Sequence, residues 1–316
     1  MRVLFMGTPD FAVSSLEYLV KANYEVIGVV TQPDRQKGRG KKITAPPVKQ
    51  KALELGLPIF QPEKVRNEEF IEILKELNPD IIVVVAFGQI LPKDILELPS
   101  FGCINVHASL LPKYRGAAPI HWSIINGETK TGITTMYMNE GLDTGDMLLK
   151  EEILIDNNMN SGELHDELAE LGGELLVRTL DLLQKNKIIP QPQNDQESTY
   201  ASLLKKEHEV ISWDENSTNI HNLVRGMNPW PGAYTVCNNE RLKILETRLN
   251  NLESSGDKSK VGTIIEVDND GFWVKTEDDK LLITKVQPAG KKAMLAKDFI
   301  NGYKIKTGLV LGDQGV

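Results

Sequence analysis

Short continuous apolar runs alternate with segments of helical periodicity through the first half of this chain. Residues 3–6 read as an apolar strand closed by the turn Gly7-Thr8-Pro9-Asp10, after which Phe11, Leu16, Leu19 and Val20 recur at helical spacing. Residues 25–31 predict a second strand, 47–55 a helix, 57–60 a short strand, and 63–77 a helix with Val65, Phe70, Ile73, Leu74 and Leu77 on its apolar face. Residues 80–87 are almost all apolar, as in strands buried on both faces of a parallel sheet. Residues 103–108 predict the next strand. This order predicts a doubly wound, mostly parallel α/β sheet with right-handed crossovers. Residues 133–138 and 147–155 predict two further strands, antiparallel at the sheet edge.

The rhythm then changes. A long helix is predicted over 161–184, with Leu164, Leu168, Leu171, Leu175, Val177 and Leu182 in its stripe and Ser161 as N-cap. Residues 189–198 carry no core side chain after Ile189 and read as a linker stiffened by Pro190 and Pro192. Beyond it come a short helix at 219–225 and strands at 233–237, 242–249, 261–267, 272–276 and 281–286. Asn238-Asn239, Asp270-Gly271 and Asp278-Asp279 supply turns. Several short strands in so little chain predict a small β-barrel. The expected division is a first domain at 1–189, a linker at 190–208 and a second domain at 209–316. No internal repeat is present.

The chain has 316 residues, 41% hydrophobic and 25% charged, the composition of a folded protein of two domains. Its longest strictly apolar run is the seven residues from Ile81 to Phe87, too short for a membrane span, and the N-terminal apolar run breaks at Gly7, too soon for a signal peptide. The two cysteines, Cys103 and Cys237, are far apart, which excludes a disulfide framework and suits a cytoplasmic protein. The net charge of −8 argues against a general nucleic-acid binder, but it is unevenly spread. Residues 1–50 carry 8 basic and 4 acidic groups, residues 51–204 carry 12 and 24, and residues 205–316 carry 16 of each. Two stretches, 31–50 and 281–306, hold six basic groups against one acidic group each. Screening over about 8 Å lets such patches meet a polyanion locally despite the acidic body.

The candidate chemistry lies in the second quarter. Ligands in open α/β folds bind at the strand ends. The Gly7-Thr8-Pro9-Asp10 turn is not a GxGxxG loop, and Pro9 has no N–H for a phosphate. P-loop, GxSxG and HExxH signatures are absent, and the five histidines lack metal-ligand spacing, so no metal is expected. Asn105 and His107, two apart at a strand end, share a face. An amide donor beside an imidazole suits a reaction at a carbonyl, stabilising an oxyanion and moving a proton; the same pair also fits ordinary strand-end hydrogen bonding. Asp143, in Gly141-Leu142-Asp143-Thr144-Gly145-Asp146, is a carboxylate able to orient His107, or a residue of a plain Asp/Gly turn. Ser109 lies near His107 but has no activating elbow around it.

Asn105, His107, the run Ser109-Leu110-Leu111-Pro112 and then Asp143 resemble the 10-formyltetrahydrofolate-dependent formyltransferases. The segments Gly7 to Phe11, Gln32-Pro33-Asp34-Arg35 with Gly38 to Lys42, Arg115 to Ile120, and Asn228 to Ala233 are similar to the members of that family that act on an aminoacylated tRNA. The resemblance covers essentially the whole chain. It implies a Rossmann-like catalytic domain and an OB-like C-terminal domain. The implied activity is formyl transfer from 10-formyltetrahydrofolate to the α-amine of methionine on initiator methionyl-tRNA. Asn105, His107 and Asp143 match the family's catalytic trio, and Ser109, Leu110, Leu111 and Pro112 its folate-binding segment. Arg39 matches the basic loop that reaches the acceptor stem, which places Arg35, Lys37, Lys41 and Lys42 beside tRNA.

Two other functions fit parts of the sequence. A formyltransferase for a small nucleotide-linked amine needs neither the C-terminal barrel nor the basic loop. A non-catalytic RNA-binding protein leaves Asn105, His107 and Asp143 without a task. The expected protein is a cytoplasmic monomer that takes folate and tRNA and needs no membrane.

Overall fold

The computed structural model describes residues 1–37, 42–250 and 257–312. In chain order the elements are β1 (Arg2–Gly7), α1 (Phe11–Lys21), β2 (Glu25–Val30), β3 (Arg35–Lys37), β4 (Lys42–Thr44), α2 (Pro47–Glu54), β5 (Ile59–Phe60), α3 (Glu68–Leu77) and β6 (Ile81–Val85). There follow α4 (Lys93–Leu96), β7 (Cys103–His107), β8 (Arg115–Gly116), α5 (Pro119–Ile125), β9 (Lys130–Tyr137), β10 (Met147–Leu154) and α6 (Ser161–Gln184). The remainder is β11 (Tyr200–Ala201), α7 (Ser217–Gly226), β12 (Tyr234–Cys237), β13 (Glu240–Leu249), β14 (Ile264–Val267), β15 (Phe272–Lys275), β16 (Lys280–Pro288), β17 (Met294–Leu295) and α8 (Ala296–Tyr303).

Backbone contacts divide the chain into two compact units that interleave in sequence. One is Met1–Pro119, Lys130–Ile153 and His165–Ala201; the other is Ile120–Thr129, Leu154–Leu164 and Ser202–Val316. All four tryptophans, Trp122, Trp213, Trp230 and Trp273, belong to the second unit.

The first unit is built on a seven-stranded sheet in the order β10-β9-β7-β6-β1-β2-β5. From β5 to β7 the strands are parallel, and β9 runs antiparallel to β7. The chain steps outward in opposite directions from β1 and β6, so the strand order reverses between them, the place where open α/β sheets bind ligands. All five residues of β6 are buried, as its apolar run requires. Leu4, Met6, Ile82 and Val84 form one face of the sheet and pack with Phe70, Ile71 and Leu74 of α3. Each such side chain contributes about 1.5–3 kcal/mol by leaving water. On the other face, Gly172 lets α6 approach closely: a Cβ there would stand 3.2 Å from Val106 of β7. Val106 therefore points at α6, and its neighbours Asn105 and His107 point away from it.

Several local expectations are corrected. The helix expected over 63–77 begins at Glu68: Asn67 before it is extended (ψ 133°), which interrupts the helical path, and the Val65 N–H is taken by Gln89 Oε1 at 3.0 Å. The strand expected to reach Phe87 ends at Val85, since Ala86 turns to φ +46°. Asn160, not Ser161, caps α6. Its side-chain oxygen accepts from the N–H groups of Gly162 and Glu163 at 2.8 and 3.1 Å, and Glu163 Oε2 accepts from the Asn160 N–H at 2.9 Å, closing a capping box. Within the basic segment expected to be a loop, β3 and β4 form a small antiparallel ribbon pairing Arg35 with Thr44 and Gln36 with Ile43. Nor is the segment after Ile189 a free tether. Gln191 bridges to Met147, and Tyr200 and Ala201 pair with Arg115 and Gly116.

The second unit carries an antiparallel sheet in the order β12-β13-β16-β15-β14, with β17 on β16, an OB-like half-barrel. Its core gathers Trp213, Ile244, Phe272, Val274, Ile283 and Phe299. Two helices close it: α7, and α8, which the sequence reading left out and which buries Ala296, Phe299 and Ile300 at helical spacing. Among the described residues no helix is long and apolar enough to cross a membrane.

Candidate active site

Strand β7 delivers Asn105 and His107 to the carboxyl end of the sheet, on the face away from α6. His107 is 6% exposed. Its Nε2 lies 2.9 Å from the carbonyl oxygen of Tyr114. A carbonyl only accepts, so the ring donates from Nε2 and leaves Nδ1 for chemistry. That nitrogen lies 3.6 Å from Asp143 Oδ2. Asn105 donates from Nδ2 to the other carboxylate oxygen, Asp143 Oδ1, at 3.3 Å. Two polar side chains from one strand thus meet the carboxylate of a loop residue 36 positions past His107.

Asp143 is held from two sides. The Gly116 N–H donates to Oδ2 at 2.8 Å, and the carbonyls of Asp143 and Gly145 each accept from Gln193 Nε2 at 2.8 Å. Its backbone adopts φ +53°, a left-handed conformation that Asp tolerates better than most residues with a Cβ. With the carboxylate 12% exposed, its interactions are screened less than they would be in open water.

The segment 109–112 is rigidly built. Ser109 is 1% exposed and donates from Oγ to the Lys113 carbonyl at 2.6 Å, so its hydroxyl is committed to the loop and not poised as a nucleophile. Thr134 Oγ1 donates to the Ser109 carbonyl at 2.7 Å and accepts from the Leu111 N–H at 3.1 Å. The Leu111–Pro112 peptide is cis. Leu111 is buried with Met136 and Met147, while Leu110 and Pro112 are half-buried. Lys150 Nζ donates to the Leu111 carbonyl, and burial lowers its pKa from the ordinary lysine value.

Sequence reasoning missed three contributors. The loop after β6 is pinned where the strand order reverses. Thr8 Oγ1 and Gln32 Nε2 donate to the Phe87 carbonyl at 3.0 and 3.3 Å, and Ile90 there is 87% exposed. Leu142, beside Asp143, is 61% exposed. Gln193 lay inside the expected linker. No local signal marked any of the three.

Arg35, in β3, is exposed and its Nη2 donates to Gln32 Oε1 at 3.3 Å. Arg39 and Lys41 lie outside the described residues. Lys37 and Lys42 are backbone partners in the β3–β4 register. Lys49 is occupied by Asp34, bonded to both oxygens at 2.8 Å, and Gln61 with Lys49 holds the Asp34 carboxyl below its ordinary pKa. In the other basic stretch Lys285 is paired with Glu246 at 2.7 Å, whereas Lys291, Lys292, Lys297, Lys304 and Lys306 are exposed. Among the described residues no group of three or more His, Cys, Asp or Glu side chains is arranged to hold a metal ion.

Comparison with known proteins gives a consistent answer. Residues 1–180 match the family model described as formyl transferase, and residues 203–304 match formyl transferase, C-terminal domain. The methionyl-tRNA formyltransferase of Clostridioides difficile (strain 630) is 54% identical over 312 residues, covering 99% of this chain and 100% of that one. The enzyme of the same name from Ruminiclostridium cellulolyticum is 51% identical over 312 residues, with 99% and 100% covered. Among solved structures, an N-formyltransferase from Helicobacter canadensis in complex with folinic acid and dTDP-3-aminofucose aligns with TM-score 0.66 and 21% identity, covering 90% of this chain and 98% of that one. This last likeness is one of fold.

Proposed function

Because this chain belongs to the formyl transferase family, we propose that it moves a formyl group from 10-formyltetrahydrofolate to the α-amine of methionine on initiator methionyl-tRNA, in the cytoplasm and as a monomer. It is a formyl-transferring enzyme and resembles methionyl-tRNA formyltransferases over its full length. The observation that carries the mechanism is the meeting of Asn105 and His107 at the Asp143 carboxylate, at 3.3 and 3.6 Å.

An α-amine has a reference pKa of about 7.7–8.0, so a useful share is already neutral near pH 7. The difficult species is the tetrahedral intermediate. The amine nitrogen bonds to the formyl carbon, and the carbonyl electron pair moves onto oxygen. Asn105 donates an amide N–H to that oxyanion, and protonated His107 donates from Nδ1. One such donor is worth roughly 3–4 kcal/mol. Asp143 stabilises the imidazolium and takes the proton of the new ammonium, directly or through a water. Collapse restores the carbonyl and breaks the bond to N10 of the folate. N10 takes up the proton that Asp143 removed from the amine, directly or through a water, so that the site returns to its starting protonation. Acid–base help of this kind adds about 10²–10⁴-fold.

Ser109, Leu110, Leu111 and Pro112 form the folate-side wall in this proposal, their backbone fixed by Thr134 and Lys150. Arg35, Lys37, Arg39, Lys41 and Lys42 meet the RNA backbone, a task the acidic body cannot perform.

The deciding experiment supplies the protein with 10-formyltetrahydrofolate and methionyl-initiator tRNA, with elongator methionyl-tRNA and a nucleotide-linked amino sugar as competitors. Formyl appearing on the initiator methionine in preference to both competitors is the expected result. Preferential formylation of the amino sugar would overturn the tRNA assignment, and tRNA binding without formyl transfer would overturn the chemistry.

A further inference from the structure

Among the described residues Arg115 is the largest fully buried side chain, 2% exposed, and formyl transfer as described gives it no work. It donates from Nε and Nη2 to a single acceptor, Gln193 Oε1, at 2.9 and 2.8 Å, and from Nη2 to the exposed carboxylate of Asp195 at 2.8 Å. Those two bonds fix which way the Gln193 amide faces. Its Nε2 therefore points at the Asp143 loop and donates to the carbonyls of Asp143 and Gly145, both at 2.8 Å. The neighbour of Arg115 in β8, Gly116, donates its N–H to the Asp143 carboxylate. One short segment thus grips Asp143 twice, directly through Gly116 and through Gln193.

Resting on the assignment of Asp143 above, we propose that Gln193 is a positioning residue for the transfer reaction: oriented by Arg115, it holds the left-handed backbone of Asp143 so that the carboxylate reaches His107 and Asn105 at once. Its place in the chain fits the task. The segment from Gln191 to Ala201 is tied at one end to Met147 by a bridge and at the other to Arg115 and Gly116 by β11. An amide is needed there because it accepts on one side and donates on the other. Positioning of this kind matters because a displacement of about 1 Å at a reacting group costs on the order of 10²-fold in rate.

The discriminating variant is Gln193→Glu. The introduced carboxylate keeps the two-pronged bond to Arg115, as Arg–carboxylate pairs favour, but offers no N–H to the two loop carbonyls. The expected result is a kcat lower by roughly 10- to 100-fold, with tetrahydrofolate affinity and thermal midpoint close to those of the unaltered protein. The decisive readout is a cycle with Asp143→Asn, a residue that tolerates the same backbone. In that background Gln193→Glu should change kcat by less than about 2-fold, because its effect runs through Asp143. A kcat near the unaltered value, or an equal loss in both backgrounds, overturns the proposal. Should the introduced charge prevent folding, Gln193→Met enters the same cycle with the same two outcomes. If Asp143→Asn alone keeps full turnover, the role of Asp143 itself fails, which is a separate result.

Discussion

The backbone N–H of Gly116 donates to Oδ2 of Asp143 at 2.8 Å, joining two segments 27 residues apart in sequence. Gly116 sits at φ +118°, and a Cβ there would stand 2.7 Å from the Ala201 carbonyl oxygen. Only glycine lets β8 lie against β11 and still aim its N–H at the carboxylate. Gly116→Ala is therefore expected to lower stability by about 1–3 kcal/mol and to depress kcat as well. Thermal unfolding and steady-state turnover on the same preparation check both, and unchanged turnover would uncouple this N–H from the chemistry.

Asn105→Ala and Asp143→Ala remove groups whose work peaks in the tetrahedral intermediate. Each is expected to cut kcat by about 10²–10³-fold while leaving the Kd for tetrahydrofolate nearly unchanged. Single-turnover formylation with a direct folate titration separates the two quantities. Near-normal turnover in either variant removes that residue from the mechanism.

Arg39→Ala tests the basic segment. If the segment pairs with phosphates, the variant loses tRNA affinity far more than folate affinity, and the slope of log K against log salt falls by about one unit. An unchanged slope would mean that this charge does not meet the nucleic acid.

His221 gives the second unit a pH dependence. It is 4% exposed, accepts at Nδ1 from the Thr247 hydroxyl at 2.8 Å and donates from Nε2 to the Asn157 carbonyl at 2.9 Å. Burial, with a smaller effect from the Arg225 charge, pushes its pKa below the ordinary 6.5, against the opposing pull of the Asn157 carbonyl. The unfolded chain takes up this proton first as pH falls through 6.5, so stability drops from there downward. His221→Asn is expected to flatten that part of the profile. Urea unfolding at about pH 7 and about pH 5.5 measures it, and parallel losses in both proteins would assign the acid sensitivity elsewhere.

The framework of the first unit was legible because short apolar runs such as Ile81–Val85, spaced between helical segments, suit strands buried on both faces of a parallel sheet. Asn105 and His107 were legible for a similarly local reason, since alternation along β7 places them on one face. What escaped depends on partners distant in sequence. The two-residue strands β8 and β11 have no pattern of their own and exist through each other. Gln193 looked like linker polarity because its partners lie 78 residues back at Arg115 and 50 back at Asp143. The helix α8 did carry a readable signal in Ala296, Phe299 and Ile300, masked by the lysines around it. Capping at Asn160 instead of Ser161 was open to view as well, because Glu163 stands three residues on.

The confinement of every indole to the second unit gives the molecule a built-in optical partition. Emission from tryptophan watches the second unit, Trp122 of α5 included, while backbone ellipticity watches both. A melting step visible in ellipticity and silent in emission belongs to the first unit, which holds the Asp143 loop, so the two units can be followed separately in one cuvette without a label.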